Sequence, residues 1–285
     1  MSQYKLSGFA DEAGKTAEEQ MRVLGLNGIF SIELRSIDGK NVLDLTETEL
    51  LALKRKFEER GFSVSAIGSP IGKTPIEEDF SFTMTAFEKA LKAAEILDTT
   101  YIRAFSFYIP KETDPMRWAD EVISRLTELV NTADKKGKRY VLENESGIFT
   151  NIPSCCAYVT ERIPGLSLVF DPSNFIMNDA DCLQAWNLLK KKVTYFHIKD
   201  ATRNPRHPVP AGEGEGCIAE ILKDAYTNGF DNFLSVEPHL GYLDNLNDAQ
   251  RFTTAANALK RLLNSALGAS LEEVDIRSVL HYRQS

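Results

Sequence analysis

The chain has 285 residues, with 33 Lys and Arg against 41 Asp and Glu, so its formal net charge is -8. The basic residues are scattered, and an acidic chain without a basic run lacks the electrostatic surface on which nucleic-acid binding depends. No stretch approaches 18 consecutive apolar residues, and the chain starts without a long apolar segment. We therefore expect a soluble, cytoplasmic protein that binds neither nucleic acid nor a membrane.

Helical and strand-like segments alternate along the chain. A strand at residues 4–10 precedes a helix that opens at the capping box Thr16-Ala-Glu-Glu19. A second capping box, Thr46-Glu-Thr-Glu49, starts the next helix, in which Leu50, Leu53 and Phe57 lie on one face. Further strands are predicted at 29–34, 62–67, 101–105, 139–142, 166–170, 193–198 and 233–236. Further helices are predicted at 79–97, 118–136, 152–161, 182–189, 218–228 and 248–264.

Eight such strand–helix units predict an α/β protein with a closed (β/α)8 TIM barrel. Strands separated by amphipathic helices pair in parallel through right-handed crossovers, and eight units close a barrel. A doubly wound open sheet is the alternative, weakened in its dinucleotide-binding form because no G-x-G-x-x-G follows the first strand. We assign residues 1–268 to a single barrel domain. Residues 269–285 form a short helical extension, with Ser270-Leu-Glu-Glu273 as its cap.

Four of the later strands each end in a side chain that can bind a metal ion. These residues, which we call the donor cluster, are Glu143, Asp171, His197 and Glu237. They end the fifth to eighth strands, which are neighbours in a barrel, and the active sites of this fold lie at the strands' carboxyl ends. Alone, an aspartate before Pro172 is usually a turn former, and a histidine or glutamate is usually just solvated or hydrogen bonded. Four such groups at consecutive strand ends predict a site for Mn²⁺, Mg²⁺, Co²⁺ or Zn²⁺.

Other polar residues are placed to line the same mouth. Lys199 lies two residues beyond His197, so strand alternation points both side chains to one side. Lys73 lies in the Gly-rich loop Gly68-Ser-Pro-Ile-Gly-Lys-Thr74. This loop has one residue too few before its Gly-Lys pair to be a phosphate-binding loop, and we interpret it as substrate-facing. Weaker candidates for binding polar substrate groups are Glu33, Arg35, Arg103 and Glu145. The segment Gly212–Gly216 is expected to be flexible backbone near the mouth.

The four cysteines lack the spacing of a zinc or redox motif. They are Cys155, Cys156, Cys182 and Cys217, and no two stand at C-x-x-C spacing. Since free cysteine usually behaves as a small buried hydrophobe, we interpret all four as buried or incidental thiols.

Several of these segments together resemble the sugar phosphate isomerase/epimerase superfamily of xylose-isomerase-like barrels. That superfamily includes ketose 3-epimerases, inosose dehydratases and related apurinic endonucleases. The resemblance covers most of the chain and is most specific over residues 139–238. The segments that carry it are Leu142-Glu-Asn144, Val169-Phe-Asp-Pro-Ser-Asn174, His197-Ile-Lys-Asp200, Gly212-Glu-Gly-Glu-Gly216 and Ser235-Val-Glu-Pro238.

The resemblance implies a role for each of these residues. The family's four metal ligands correspond to the donor cluster, and in ketose epimerases the residues matching Glu143 and Glu237 also move the substrate proton, one on each face of the sugar. The substrate-binding arginine of the family corresponds to Arg203. Asn174 stands where epimerases often have a histidine, and we assign it, with Arg203, Lys199 and Lys73, to substrate binding.

These observations predict a divalent-metal-dependent isomerase or epimerase that acts on a small sugar or cyclitol. We expect the metal to be Mn²⁺. A metal chelated by substrate oxygens stabilises the enediolate formed when a proton next to a carbonyl is removed. The same ligands would serve a dehydratase of a keto-inositol or keto-sugar, and a non-catalytic sugar-binding barrel is the alternative outside enzymes. An abasic-site endonuclease needs more histidines than the four present and a cationic face. A homo-oligomer is possible, but no interface can be read from the sequence.

Overall fold

Eight parallel strands close into a barrel in the computed structural model, which describes residues 4–279. Each strand pairs with the strands of the neighbouring units, and the last closes onto the first. The barrel strands are β1 (Lys5–Phe9), β2 (Ser31–Leu34), β5 (Ser63–Gly68), β6 (Tyr101–Ala104), β7 (Arg139–Glu143), β8 (Ser167–Phe170), β9 (Val193–Ile198) and β12 (Phe233–Val236). The predicted TIM barrel is confirmed.

Helices cover the outside of the barrel. They are α1 (Ala17–Leu26), α2 (Glu47–Glu59), α3 (Phe80–Ile96), α4 (Ala119–Lys135), α5 (Pro153–Arg162), α6 (Pro172–Met177), α7 (Cys182–Leu189), α8 (Ile218–Thr227) and α9 (Asp248–Leu267). Both predicted capping boxes form, with Thr16 and Thr46 each exchanging hydrogen bonds with the glutamate three residues later. Within residues 4–279, no helix is both long and apolar enough to cross a membrane.

Three short elements at the barrel mouth are absent from the sequence prediction. Two are hairpins, formed by β3 (Ser36–Ile37) with β4 (Lys40–Asn41) and by β10 (Asp200–Arg203) with β11 (Arg206–Val209). The third is the six-residue helix α6, which follows β8 directly. Each is too short to show a hydrophobic period, so pattern reading passes over it.

The segment after α9 is an extended strap rather than the helix predicted from Ser270. We call residues 269–279 the C-terminal strap; its only described helical turn is the 3-10 turn Ile276–Ser278. Two asparagines of α9 hold it in this form. Asn264 exchanges two hydrogen bonds with the backbone of Leu271, and Asn257 does the same with Val274, at 2.8–2.9 Å. These bonds satisfy the backbone N–H and C=O groups of Leu271 and Val274 in the extended conformation, so these groups need no helical partners. The remainder of the predicted extension, 280–285, lies outside the described residues.

The barrel interior below the mouth is packed and partly polar. The Tyr195 hydroxyl lies 2.9 Å from the Ser65 hydroxyl, which in turn lies 2.6 Å from that of Ser7. A small apolar layer surrounds these groups, formed by Ala66, Val141, Val169 and Tyr195. Because Tyr195 precedes His197 by two residues on β9, this layer lies directly beneath the donor cluster. Of the cysteines, Cys155, Cys156 and Cys182 are buried, Cys217 is half-buried, and all four are unpaired.

Candidate metal centre

The structure brings the donor cluster together at the barrel mouth. Glu143 ends β7, Asp171 follows β8, His197 lies on β9 and Glu237 follows β12. One ligand atom from each residue lies within 4.8 Å of those of the other three, and all four side chains are buried. Neighbouring parallel strands thus deliver three carboxylates and one imidazole to one point.

Two polar atoms of the cluster are buried without a hydrogen-bond partner, namely Asp171 Oδ2 and His197 Nδ1. Lys199 Nζ lies 2.8 Å from the first and Glu143 Oε1 lies 3.1 Å from the second, but neither contact has hydrogen-bond geometry. Buried polar atoms normally have partners. An oxygen and a nitrogen that lack hydrogen-bond partners, beside two further carboxylates, are suitable ligands for a divalent cation, so this cluster could hold a metal ion.

Glu33 orients the imidazole of His197 by contacting the ring nitrogen that does not face the other three members of the donor cluster. Its Nε2 lies 3.1 Å from Glu33 Oε1, and both side chains are fully buried. Arg103 Nε lies 3.4 Å from the same carboxylate and 3.3 Å from Glu143 Oε2. Because Glu33 engages Nε2, the other ring nitrogen is left facing the three carboxylates, as in histidine ligands held by a supporting carboxylate.

The protonation of the cluster follows from burial and from neighbouring charges. Burial raises the pKa of Asp171 to about 6, although the Lys199 ammonium opposes this. For Glu143, burial raises the pKa, but the charges of His197 and Arg103 outweigh it and bring the pKa to about 2. Burial lowers the pKa of His197, but Glu143 and Glu33 raise it well above its ordinary value. Without a bound metal ion, the negative charge of the carboxylates is balanced by bound protons and by the positive charges of Lys199, Arg103 and His197.

Two of the predicted substrate-binding residues contact the donor cluster itself. Lys199 Nζ lies 2.8 Å from Asp171 Oδ2 and 2.9 Å from Glu237 Oε2, and its side chain is buried. Asn174 donates from Nδ2 to Glu143 Oε1 at 3.2 Å, and its backbone N–H donates to Asp171 Oδ1 at 2.9 Å. Both residues therefore position the carboxylates of the donor cluster.

The other two predicted substrate-binding residues lie farther out. Lys73 Nζ lies 2.9 Å from Glu145 Oε2 and 4.2 Å from the centre of the Phe105 ring. It lines a cavity of about 150 Å³ whose walls also include two cluster members, Glu143 and Glu237. Arg203, on β10, contacts Glu215 and the carbonyl oxygen of Ala180, so its guanidinium is paired outside the donor cluster.

A second layer of charges around Glu237 was only partly anticipated. Arg35, a weaker candidate from the sequence, lies 3.3 Å from Glu237 Oε1 and also pairs with Asp11 and Glu12. His239 was not predicted to belong to the site, yet its Nε2 lies 3.3 Å from the same Glu237 oxygen. The available signal was its spacing, because His239 follows Glu237 by two residues as Lys199 follows His197. Its φ of +47° is rare for a residue with a side chain.

The Gly212–Gly216 segment is anchored, not the free backbone that was expected. The Asp200 carboxylate accepts hydrogen bonds from the backbone N–H groups of Gly212, Gly214 and Gly216, at 2.9–3.2 Å. A Cβ at Gly214 would lie 2.3 Å from the carbonyl oxygen of Ala201, so the backbone approaches more closely than a side chain allows. The glycines are required by this close approach.

The family model described as the xylose isomerase-like TIM barrel matches residues 21–262. The chain belongs to this family. A search of curated proteins returned no match.

Solved structures with the same fold include metal-binding proteins and enzymes. The IolI protein, whose structure is described as having a binding zinc atom, is 17% identical with a TM-score of 0.77, covering 93% of this chain and all of that one. AsbF from Bacillus anthracis, a probable 3-DHS dehydratase, is 17% identical with a TM-score of 0.73, covering 91% and 99%. L-ribulose 3-epimerase is 17% identical with a TM-score of 0.70, covering 93% and 96%. At these identities the likeness shows the shared fold.

Proposed function

We propose that this xylose isomerase-like barrel is a divalent-metal-dependent isomerase or epimerase of a small polyhydroxylated substrate. The observation that carries the proposal is the buried donor cluster at the mouth of the barrel, in which two polar atoms lack a hydrogen-bond partner. All four members would hold the ion, with Mn²⁺ as our first choice and Zn²⁺, Mg²⁺ and Co²⁺ as alternatives. When bound, the ion supplies Lewis-acid stabilisation of negative charge on substrate oxygens.

The proton transfers are assigned to Glu143 and Glu237. Glu143 ends β7 and Glu237 follows β12. Two strands separate β7 from β12 in the ring, so the two carboxylates approach the mouth from different sides. Burial raises the pKa of both, but the cations beside each outweigh it, and the net shift is downward. Two ionised carboxylates on different sides of one substrate can remove a proton next to a carbonyl and return one on the opposite face.

We assign substrate contacts to the residues around these carboxylates. Lys199 and Asn174 reach the cluster directly, and Lys73 lines the cavity beside it. The assignment of Arg203 requires its guanidinium to leave Glu215 when substrate binds. Lysine and arginine donors at these points suit hydroxyl and carbonyl oxygens of a sugar or cyclitol.

The test combines metal content with hydrogen exchange. Purified wild-type protein is expected to hold about one divalent ion per chain, as the single-site reading requires, and His197→Ala to lose it. His207→Ala, on the β10–β11 hairpin, is the control and should keep the ion. Incubation with keto-sugars and keto-inositols in deuterium oxide should then exchange a carbon-bound hydrogen in the wild type alone.

The reaction products distinguish an isomerase or epimerase from a dehydratase. Exchange with an isomeric product supports the proposal, whereas loss of a hydroxyl as water identifies a dehydratase. Wild-type protein that holds no metal and exchanges no substrate hydrogen overturns the proposal. In that case a sugar-binding barrel without activity becomes the better reading.

Replacing either proposed proton-transfer residue should slow hydrogen exchange, and each replacement should affect a different epimer of the substrate. Glu143→Gln and Glu237→Gln each keep a ligand oxygen but lose the base, so each should slow exchange about 10²–10⁴-fold. If the two residues serve opposite faces, one variant loses exchange from one epimer and the other variant from its partner. Metal content is measured on the same samples, and identical losses from both epimers would contradict the two-sided assignment.

A further inference from the structure

A cavity of about 720 Å³ lies at the end of the barrel opposite the donor cluster. It is bounded by the first residues of β1, β2 and β12 on one side and by the C-terminal strap on the other. Its volume falls within the range of small-molecule sites. Apolar side chains provide most of the wall, namely Tyr4, Leu6, Leu26, Phe30, Phe233, Leu271 and Val274.

We call this cavity the floor cavity. One buried cation that lines it has no partner among the described residues. Lys260, on α9, is only 4% exposed, and no hydrogen bond or ion pair joins its ammonium to another residue within 4–279. Lys5 lines the same cavity, but its ammonium is exposed and pairs with Asp231 at 3.0 Å. A buried charge without a partner is costly, so the ammonium of Lys260 favours a compensating anion.

The carboxylates near Lys260 compensate for its charge only in part. Glu272 and Glu273 line the cavity, but Glu273 pairs with Arg261 at 2.7 Å and is half exposed. Burial lowers the pKa of Lys260, and the two glutamates oppose this without reversing it. The described residues therefore do not fully compensate the positive charge of the Lys260 ammonium.

We propose that the floor cavity binds a small organic anion with an apolar body, whose anionic group pairs with the Lys260 ammonium. The apolar body would lie against Leu6, Phe30 and Phe233. Such a ligand contacts both the barrel and the strap, and the strap is tied to α9 through Asn257 and Asn264. Binding therefore stabilises the folded chain from the end remote from the metal centre.

Octanoate and octan-1-ol are matched probes for this site, since they share an apolar chain and differ in charge. Calorimetric titration of wild-type protein should give one octanoate per chain, bound about tenfold or more tightly than the alcohol. Lys260→Met should weaken octanoate binding by a similar factor, because it keeps the stem and removes the charge. Lys89→Met, at an exposed position of α3 that does not line the cavity, should leave the affinity unchanged.

Two further measurements keep the outcome decisive. His197→Ala should bind octanoate as the wild type does, since a carboxylate held at the metal centre would be lost in that variant. If Lys260→Met does not fold, the comparison of octanoate with octan-1-ol on wild-type protein still decides. Equal affinity for the two probes, unchanged affinity in a folded Lys260→Met, or no octanoate binding at millimolar concentration overturns the proposal.

Discussion

The orientation of one imidazole decides which nitrogen reaches the donor cluster. Glu33 engages His197 Nε2 at 3.1 Å from a fully buried position, and Phe9 packs edge-on against the same ring with centroids 5.0 Å apart. The ring is thus fixed by one charged and one apolar contact. A ligand held in this way is pre-organised before any ion binds.

Glu33→Gln is therefore expected to weaken metal binding about tenfold, near the low end of the 10–100-fold effect of supporting residues. The amide keeps the size and one acceptor but loses the charge that makes the imidazole a better donor. Competition with a chelator measures the affinity, and Glu213→Gln, on the surface, is the control. A folded Glu33→Gln protein with wild-type affinity would contradict the positioning role.

Lys199 neutralises the donor cluster from inside. Its ammonium lies within 2.9 Å of carboxylates from two cluster members, Asp171 and Glu237, where a bound cation would also act. The ion pairs of this lysine stabilise the fold, and they would oppose metal binding at the proposed site, because both cations interact with the same carboxylates.

Lys199→Met should therefore lower the free energy of unfolding of the metal-free protein by about 3–5 kcal/mol, the usual cost of breaking a buried pair. Its metal affinity should rise, and added metal should restore much of the lost stability. Lys73→Met is the matched control, since the Lys73–Glu145 pair is partly exposed and worth about 0–1 kcal/mol. Denaturant unfolding with and without metal provides both numbers, and equal losses in the two variants would argue against this role.

At the scale of elements, the loops beyond the strands position the mouth. The β10–β11 hairpin and the Gly212–Gly216 segment are joined by the Asp200 carboxylate, which also accepts from the N–H of Ala201. One side chain at the start of β10 thereby organises both loops. The hairpin in turn carries Arg203, whose pairing with Glu215 depends on the same segment.

Gly214→Ala tests this packing. The added Cβ would lie 2.3 Å from the Ala201 carbonyl oxygen and 2.4 Å from Asp200 Oδ1, so the loop must shift. We expect a loss of about 1–3 kcal/mol in the free energy of unfolding, the range typical of overpacking. Gly241→Ala is the control, because a Cβ there meets nothing within 4 Å. A thermal or denaturant series that places both variants at the same stability would show that the loop yields without cost.

For the whole molecule, the proposed metal site would couple metal binding and folding to pH. Burial raises the folded-state pKa of Asp171 from 3.8 to about 6, so the metal-free protein loses stability on this account as the pH rises from about 4 through 6. His197 also holds a proton at neutral pH, since its pKa is raised well above its ordinary value. A metal ion bound at the proposed site would have to displace both protons.

The stabilisation by metal should therefore grow as the pH rises from 5 to 8. We expect the metal-induced increase in Tm to be small below about pH 6, where Asp171 is protonated, and to keep growing above it as His197 is more readily deprotonated. Differential scanning calorimetry at a fixed metal concentration checks this, with His197→Ala as the protein without the effect. A metal-induced increase in Tm that does not vary with pH would contradict the assignment of these ligands.

The sequence by itself determined the order of strands and helices and the strand ends at which the donor cluster lies. Both are local properties, because hydrophobic period and capping boxes such as Thr16 with Glu19 involve neighbours in the chain. The end of a barrel strand also locates the mouth without further information. Within these limits, the fold could be predicted.

Only the tertiary structure decided which groups support that cluster. Glu33 meets His197 across 164 residues, and Arg35 meets Glu237 across 202, so no local pattern records either contact. The strap shows the same physics, since the cap at Ser270 predicts a helix but Asn257 and Asn264 hold the backbone extended. Hydrogen bonds from a distant helix outweigh a weak local preference, because a buried backbone group needs a partner wherever one is offered.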